Sequence, residues 1–220
     1  MTKHQKSHPD TKFKVSWHPF YLDPTVRETE DKLARYERKF GKARMAQMIP
    51  HMAAVGDSVG IKFKYGGKIG NTRDSHRLIA FAGEKGAEYQ DRLVEMLFHA
   101  YFEINEDISD KEVLARIAAE AGVFASKEEG LEFLKSEKLG PQVDKEVDFN
   151  QYRRGISGVP HFIIEGEISD DDFANVLDQE EVGGAQDPRV FEQIFAQIHK
   201  SEKKPVQLDG EACLPDGSNC

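Results

Sequence analysis

A chain of 220 residues with 39% hydrophobic and 31% charged side chains has the composition of a globular domain that buries a core without disulfide staples. Its formal charge of −9 excludes the basic footprint of a nucleic-acid binder and the basic amphipathic segment that holds an anionic membrane. No apolar run approaches a membrane span, the first ten residues lack the apolar region of a secretory signal, and the only two cysteines, Cys213 and Cys220, sit in the last eight residues. A cytoplasmic, reducing setting is the expectation.

Phe13, Val15 and Trp17 alternate with Lys14, Ser16 and His18, which predicts a half-buried strand to about Leu22, stopped by Asp23-Pro24. Val26 to Phe40 is charged with sparse apolar positions and reads as a surface helix or arm that Gly41 stops. Met45, Met48, Ile49, Met52 and Val55 have helical spacing, which Pro50 is expected to kink or break. Gly60 to Gly70 reads as a loop with an extended piece at Ile61-Lys62-Phe63.

Asn71 or Thr72 caps the next predicted helix, with Leu78, Ile79 and Ala82 as its apolar stripe. Tyr89 to Ile104 is strongly periodic. Ser109 is the expected cap of a helix to Ala121, and Ser126 of one to Ser136, with Glu129 completing a capping box. Val143 to Arg154 is amphipathic and ends at Gly155. Val159 to Ile164 then predicts a strand, Glu181 to Gly184 a second, and Asp187-Pro188 opens a last helix carrying Val190, Ile194, Phe195 and Ile198 on one face. Strand signals at both ends with helices between them predict an α/β domain with an all-helical insertion.

Four segments carry a resemblance. They are Phe13-Lys14-Val15-Ser16-Trp17-His18-Pro19-Phe20-Tyr21-Leu22, Asn71-Thr72-Arg73-Asp74-Ser75-His76-Arg77-Leu78, Tyr152 to Phe162 with Gly158-Val159-Pro160, and Val182-Gly183-Gly184-Ala185-Gln186-Asp187-Pro188. In this order and spacing the chain resembles the FrnE-like branch of the DsbA family. The resemblance implies a thioredoxin-like fold with a large helical insertion. It assigns residues 1–24 and 141–202 to the thioredoxin-like core, 25–140 to the insertion and 203–220 to a flexible tail.

The resemblance also implies a cis peptide at Val159-Pro160, where the preceding backbone is exposed for pairing with a substrate strand. It puts Asn71 and His76 on the cleft as substrate-positioning residues; a helix cap and a hydrogen-bonded structural histidine are the plainer readings of the same two side chains. The family's first strand, its Cys-x-x-Cys turn and the start of its first helix fall before the position of Phe13. Here twelve residues precede Phe13 and none is a cysteine. The expectation is therefore a fold lacking that strand and that helix start, with no catalytic residue for dithiol exchange. A longer protein, an oligomer or a swapped segment would complete the sheet.

Cys213-Leu214-Pro215-Asp216-Gly217-Ser218-Asn219-Cys220 resembles a second cysteine pair of some FrnE-like proteins, with Ser218 where that pattern has its second cysteine. A regulatory dithiol and two free thiols on a tail are both open readings. The eight histidines show no ligand spacing apart from His4 and His8, so neither a metal site nor a cofactor is expected. The Gly-rich Tyr65 to Gly70 lacks the Gly-Lys-Ser/Thr of a phosphate loop, the Asp170-Asp171-Asp172 run reads as a solvated loop, and no Gly-x-Ser-x-Gly supports a hydrolase. The resemblance implies a thiol- or disulfide-bearing protein or peptide as partner. Its alternatives are a non-redox peptide-binding module and an isomerase using a glutathione-like small molecule.

Overall fold

The computed structural model describes residues 1–167 and 176–202; the Asp170-Asp172 run, Cys213 and Cys220 lie outside them. In chain order the elements are α1 (Thr2–Ser7), β1 (Glu30–Asp31), α2 (Lys32–Phe40), α3 (Lys42–Ser58), β2 (Lys68–Ile69), α4 (Arg73–Lys85) and α5 (Ala87–Phe102). They continue with α6 (Lys111–Glu120), α7 (Lys127–Lys135), α8 (Gly140–Asp148), a π-helical turn (Phe149–Arg153), β3 (His161–Glu167), β4 (Val176–Gly183) and α9 (Pro188–Glu202). Two compact units divide the chain: Lys14–Ser157, and Met1–Phe13 together with the chain from Gly158 onward.

The Lys14–Ser157 unit is helical. Its core is built by α4, α5, α6 and α7, where Leu78, Leu93, Leu97, Leu114, Ile117 and Leu134 are almost fully enclosed. Each such side chain contributes about 1.5–3 kcal/mol through burial. The spacing of these residues on each helix is the apolar stripe that the sequence predicts for α4 and α5. Capping follows local chemistry. Asp110 accepts from the N–H groups of Glu112 and Val113 and so caps α6, one residue after the expected Ser109, whose hydroxyl turns to Asp107. Ser126 caps α7 through the Glu129 N–H, and Glu129 accepts in return from the Ala125 N–H at 3.1 Å.

Three expectations differ from the structure. The Phe13 to Leu22 segment carries no ladder among the described residues. Alternation reports two unlike faces, but a strand also needs a partner, and here side-chain amides take that part. Gln90 accepts from the Trp17 N–H at 3.0 Å and donates to the Trp17 carbonyl at 3.1 Å. Asn150 and Gln151 donate to the carbonyls of Pro19 and Tyr21. The positions held are 17, 19 and 21, so the period of two survives as a row of amide clamps. Replacing the buried Gln90 by leucine should therefore free Trp17, the single tryptophan of the chain. A red shift of intrinsic emission and a loss of about 1–3 kcal/mol in urea unfolding are expected.

The second difference is Pro50. Helix α3 runs unbroken through it, because Pro50 and Ala46, whose carbonyl loses its partner, are both exposed to water. The third is the extended piece. It falls at Lys68-Ile69 rather than Ile61 to Phe63, and pairs antiparallel with Glu30-Asp31. Within the helical unit, Trp17 bonds to Gln90 and Tyr21 to Asp144.

The other unit is a hairpin with helices. Strands β3 and β4 pair antiparallel with His161 opposite Gly183 and Ile163 opposite Glu181, with an irregularity between Glu165 and Glu167. Helix α9 packs on the hairpin through Phe191 and Phe162, whose ring centroids are 4.9 Å apart. Helix α1 packs on α9. The buried His4 ring stands edge-on to Phe13 and Phe195, and Lys3 pairs with Glu192 at 2.8 Å.

Candidate functional site

The loop before β3 is built around one peptide bond. Val159-Pro160 is cis. The carbonyl of Pro160 accepts from the Gly184 N–H at 2.8 Å, which ties the loop to the turn after β4. Gly184 holds φ +77°, a left-handed conformation that suits glycine. Gln186 closes the same turn on the Gly183 carbonyl at 2.9 Å, and Asp187 accepts from the Arg189 N–H to start α9. The Val182 to Pro188 segment is thus the buttress of the Val159-Pro160 loop. Val159 itself is 46% exposed. Among the described residues its backbone N–H and C=O make no hydrogen bond. His161, the next residue after Pro160, places Nε2 3.1 Å from Glu181 Oε2 across the hairpin.

Asn71 and His76 lie in the helical unit, at the first turn of α4. Asn71 Oδ1 accepts from the Arg73 N–H at 2.8 Å, and its amide donates to the Val26 carbonyl at 3.1 Å. His76 Nδ1 lies 2.6 Å from the Thr72 carbonyl and donates to it. The ring packs edge-on to Tyr21, at 5.4 Å between centroids. Burial lowers the His76 pKa, against the pull of hydrogen bonds to the Thr72 and Phe20 backbone. Burial thus disfavours the charged imidazolium. Asn71 holds the Arg73 N–H from beside Thr72, the cap residue of α4, and His76 is tied to the Thr72 carbonyl; Val159 and Pro160 belong to the other unit.

Sequence reasoning missed the network beside them. Tyr21 donates to Asp144 Oδ1 at 2.9 Å, and Arg73 Nε reaches both Asp144 oxygens at 3.0 Å. A second arm of Arg73 reaches Glu137 at 2.9 Å. Burial, then the hydrogen bond to Asp144, raise the Tyr21 pKa, so the phenol keeps its proton. The Arg73 hydrogen bond lowers the Asp144 pKa, with Tyr21 adding to it. No local signal marks Asp144, which sits far along the chain on α8. Tyr21 and Arg73 were visible only as members of two of the resemblance segments.

The sign of the Asp144 effect follows from its lowered folded pKa. Its stabilising contribution is complete above the unfolded carboxyl value, about 4, and fades as pH falls through the folded value below that. Asp144→Asn should therefore flatten the acid limb of stability. Urea midpoints measured from pH 5 downward, about the window where the carboxyl titrates, should converge for the variant and the parent. Midpoints that fall in parallel would contradict the assignment.

Among the described residues no group of three His, Cys, Asp or Glu side chains is placed to hold a metal ion. No helix among them is long and apolar enough to cross a membrane.

A hairpin whose leading loop carries a cis-proline, backed by a helix and joined in one chain to a helical unit, defines a thioredoxin-like protein of the inserted type. The family model described as the DSBA-like thioredoxin domain matches residues 1–196, and the chain belongs to that family. Among solved structures it is similar to a probable DsbA oxidoreductase from Streptomyces coelicolor. The two share 27% identity and a TM-score of 0.66, over 90% of this chain and 80% of that one. No curated protein matches the chain significantly.

Proposed function

We propose that this protein is a DsbA-family member of the FrnE-like branch that holds a thiol- or disulfide-bearing polypeptide at the Val159-Pro160 loop. The observation that carries the reading is the exposed residue Val159 next to a strand, its backbone making no hydrogen bond among the described residues, in a chain of this family. A peptide running antiparallel to residue 159 gains two backbone hydrogen bonds there, the mode of strand addition. By the same resemblance Asn71 and His76 are substrate-positioning residues; within the helical unit Asn71 ties the start of α4 to the Val26 carbonyl and His76 bonds to the Thr72 carbonyl. The residues resembling the FrnE-like branch are the four segments from Phe13 to Pro188.

These 220 residues do not by themselves perform the family's dithiol exchange. That chemistry needs a thiolate beside a second thiol and a helix N-terminus that lowers its pKa. The only cysteines are Cys213 and Cys220, seven positions apart by number in a Pro-Gly segment. A core free of cysteines also supports a cytoplasmic setting. The test is turnover of a disulfide-linked substrate by this chain, before and after alkylation. No alkylation-sensitive turnover is expected. Turnover that is lost on alkylation, or in a Cys213→Ser, Cys220→Ser variant, would make the tail pair a working dithiol and overturn this part of the reading.

A further inference from the structure

Helix α5 turns an unusual face to water. Phe98 is 49% exposed and Ile104, just beyond the helix, 47%. Phe98 and Phe102 are in ring contact at 5.9 Å, and the row continues to Trp17 on one side and Phe63 on the other, each at 5.8 Å. Isolated exposed apolar residues need no explanation, but a continuous row of them does.

Beside this ridge lies a hollow of about 340 Å³. Met96, Ala100, Ile104 and Ile117 give it an apolar floor. Its rim is acidic: Glu95, Glu106 and Glu120 stand around it with a single guanidinium, Arg116. Arg116 is already matched twice, by Glu106 at 2.6 and 2.7 Å and by Glu120 at 2.9 and 3.0 Å. His99 on the same rim faces Glu103 at 3.1 Å. Glu95 has no ion pair among the described residues. The rim therefore carries an excess of negative charge over an apolar floor.

The complementary occupant carries an apolar side chain with a cation beside it. From Glu95 to Ile104 the face spans roughly 14 Å at about 1.5 Å per residue. That is about four residues of extended chain at about 3.3 Å each, and longer than one side chain. We propose that the α5 face is a second polypeptide-binding surface, selective for extended segments in which aliphatic or aromatic residues alternate with lysine or arginine. It uses no thiol chemistry and lies on the helical unit, whereas the Val159-Pro160 loop belongs to the other unit. Neutral stretches of an unfolded chain bind it less well, and acidic ones are repelled.

The experiment uses the full chain and two short fluorescein-labelled peptides, one of alternating leucine and lysine and one of alternating leucine and glutamate. Fluorescence anisotropy should show saturable binding of the first, weakened by added salt, and little of the second. Ile104→Ser and Glu95→Lys should each weaken the first peptide by about tenfold, a change of about 1.4 kcal/mol. Glu84→Lys, an exposed charge reversal elsewhere on the helical unit, should leave affinity unchanged. Glu95 and Ile104 are both exposed, and circular dichroism melts close to the parent would show that the fold is kept. No binding, equal binding of the two peptides, or unchanged affinity in both α5 variants would overturn the proposal. A loss in Glu84→Lys equal to that in Glu95→Lys would do so too, by reducing the effect to net charge. None of these results touches the disulfide-turnover test.

Discussion

Arg77→Ala should cost about 3–5 kcal/mol in stability, the scale at which removal of one partner of a buried charge network lies. Arg77 is fully enclosed, yet its guanidinium has every arm occupied. Nε donates to the Lys138 carbonyl at 2.9 Å, and Nη2 to the carbonyls of Ser136 at 2.6 Å and Phe133 at 3.3 Å. Nη1 reaches Asp74 at 2.7 Å. The three carbonyls belong to the last turn of α7 and the residues after it, where helical hydrogen bonds run out and the helix dipole is negative. One residue from α4 thus caps α7 and completes its electrostatics from inside the core.

The Phe133 ring lies 5.1 Å from the guanidinium carbon, so the contact is also a packing one. Arg77→Met restores much of the volume but none of the donors. It should cost less than alanine and still about 1–3 kcal/mol, because the Ser136 and Lys138 carbonyls and Asp74 lose their donor while the Phe133 carbonyl keeps Ser136. Urea unfolding of both variants gives the comparison. A loss below about 1 kcal/mol in Arg77→Ala would mean that water replaces the guanidinium and that the capping role is wrong.

Gly67→Ala should lower stability by about 2–4 kcal/mol, while Gly60→Ala should cost only about 1. Both glycines have left-handed φ, +78° and +83°. They differ in what a side chain would meet. A Cβ on Gly60 would meet nothing within 4 Å, whereas one on Gly67 would fall 2.4 Å from the Asn105 carbonyl oxygen and 3.0 Å from the Asn105 Cβ. Backbone cannot step aside as a flexible side chain does. Gly67 also accepts from the Lys32 N–H at 3.0 Å, so displacing it disturbs the start of α2. Thermal melts of the two variants separate the conformational part from the steric part. Equal losses would show that the loop relaxes and that the close approach to Asn105 is not a constraint.

Much of this architecture was legible in the chain. Helices α4 and α5 announce themselves by Leu78, Ala82, Leu93 and Leu97, because a one-sided apolar stripe has few uses other than burial. The α7 cap was readable in Ser126 and Glu129 for the same local reason. The Phe13 to Leu22 segment was misread because alternation says which side chains face inward and nothing about what takes up the backbone. Three amide side chains, from Gln90, Asn150 and Gln151, do that here, and none is near it in sequence. The short β1–β2 pair was invisible: two residues carry no period.

The site divides in the same way. The Val159-Pro160 loop was readable only through a family resemblance, since an isolated Val-Pro gives no reason to expect a cis bond. Asn71 and His76 were readable as a helix cap and a hydrogen-bonded histidine; Thr72 is the cap residue of α4, with Asn71 beside it accepting from the Arg73 N–H and His76 bonded to the Thr72 carbonyl. The Tyr21–Asp144–Arg73 network joins three distant stretches of chain and appears only once they fold together. Arg77 was visible only as a member of the second resemblance segment, and its capping of α7 appears only once α4 and α7 pack together.

The most direct test of the central claim is a backbone NMR titration of the chain with an unfolded, cysteine-containing peptide. If the Val159-Pro160 loop holds polypeptide by strand addition, the amide signals of Gly158, Val159 and His161 shift saturably, with Gly184 following through its bond to Pro160. The same shifts should appear with the peptide's cysteine replaced by serine, because the backbone makes the contact. Saturable binding that leaves those amides unmoved would contradict the account and send the search for the binding site elsewhere in the molecule.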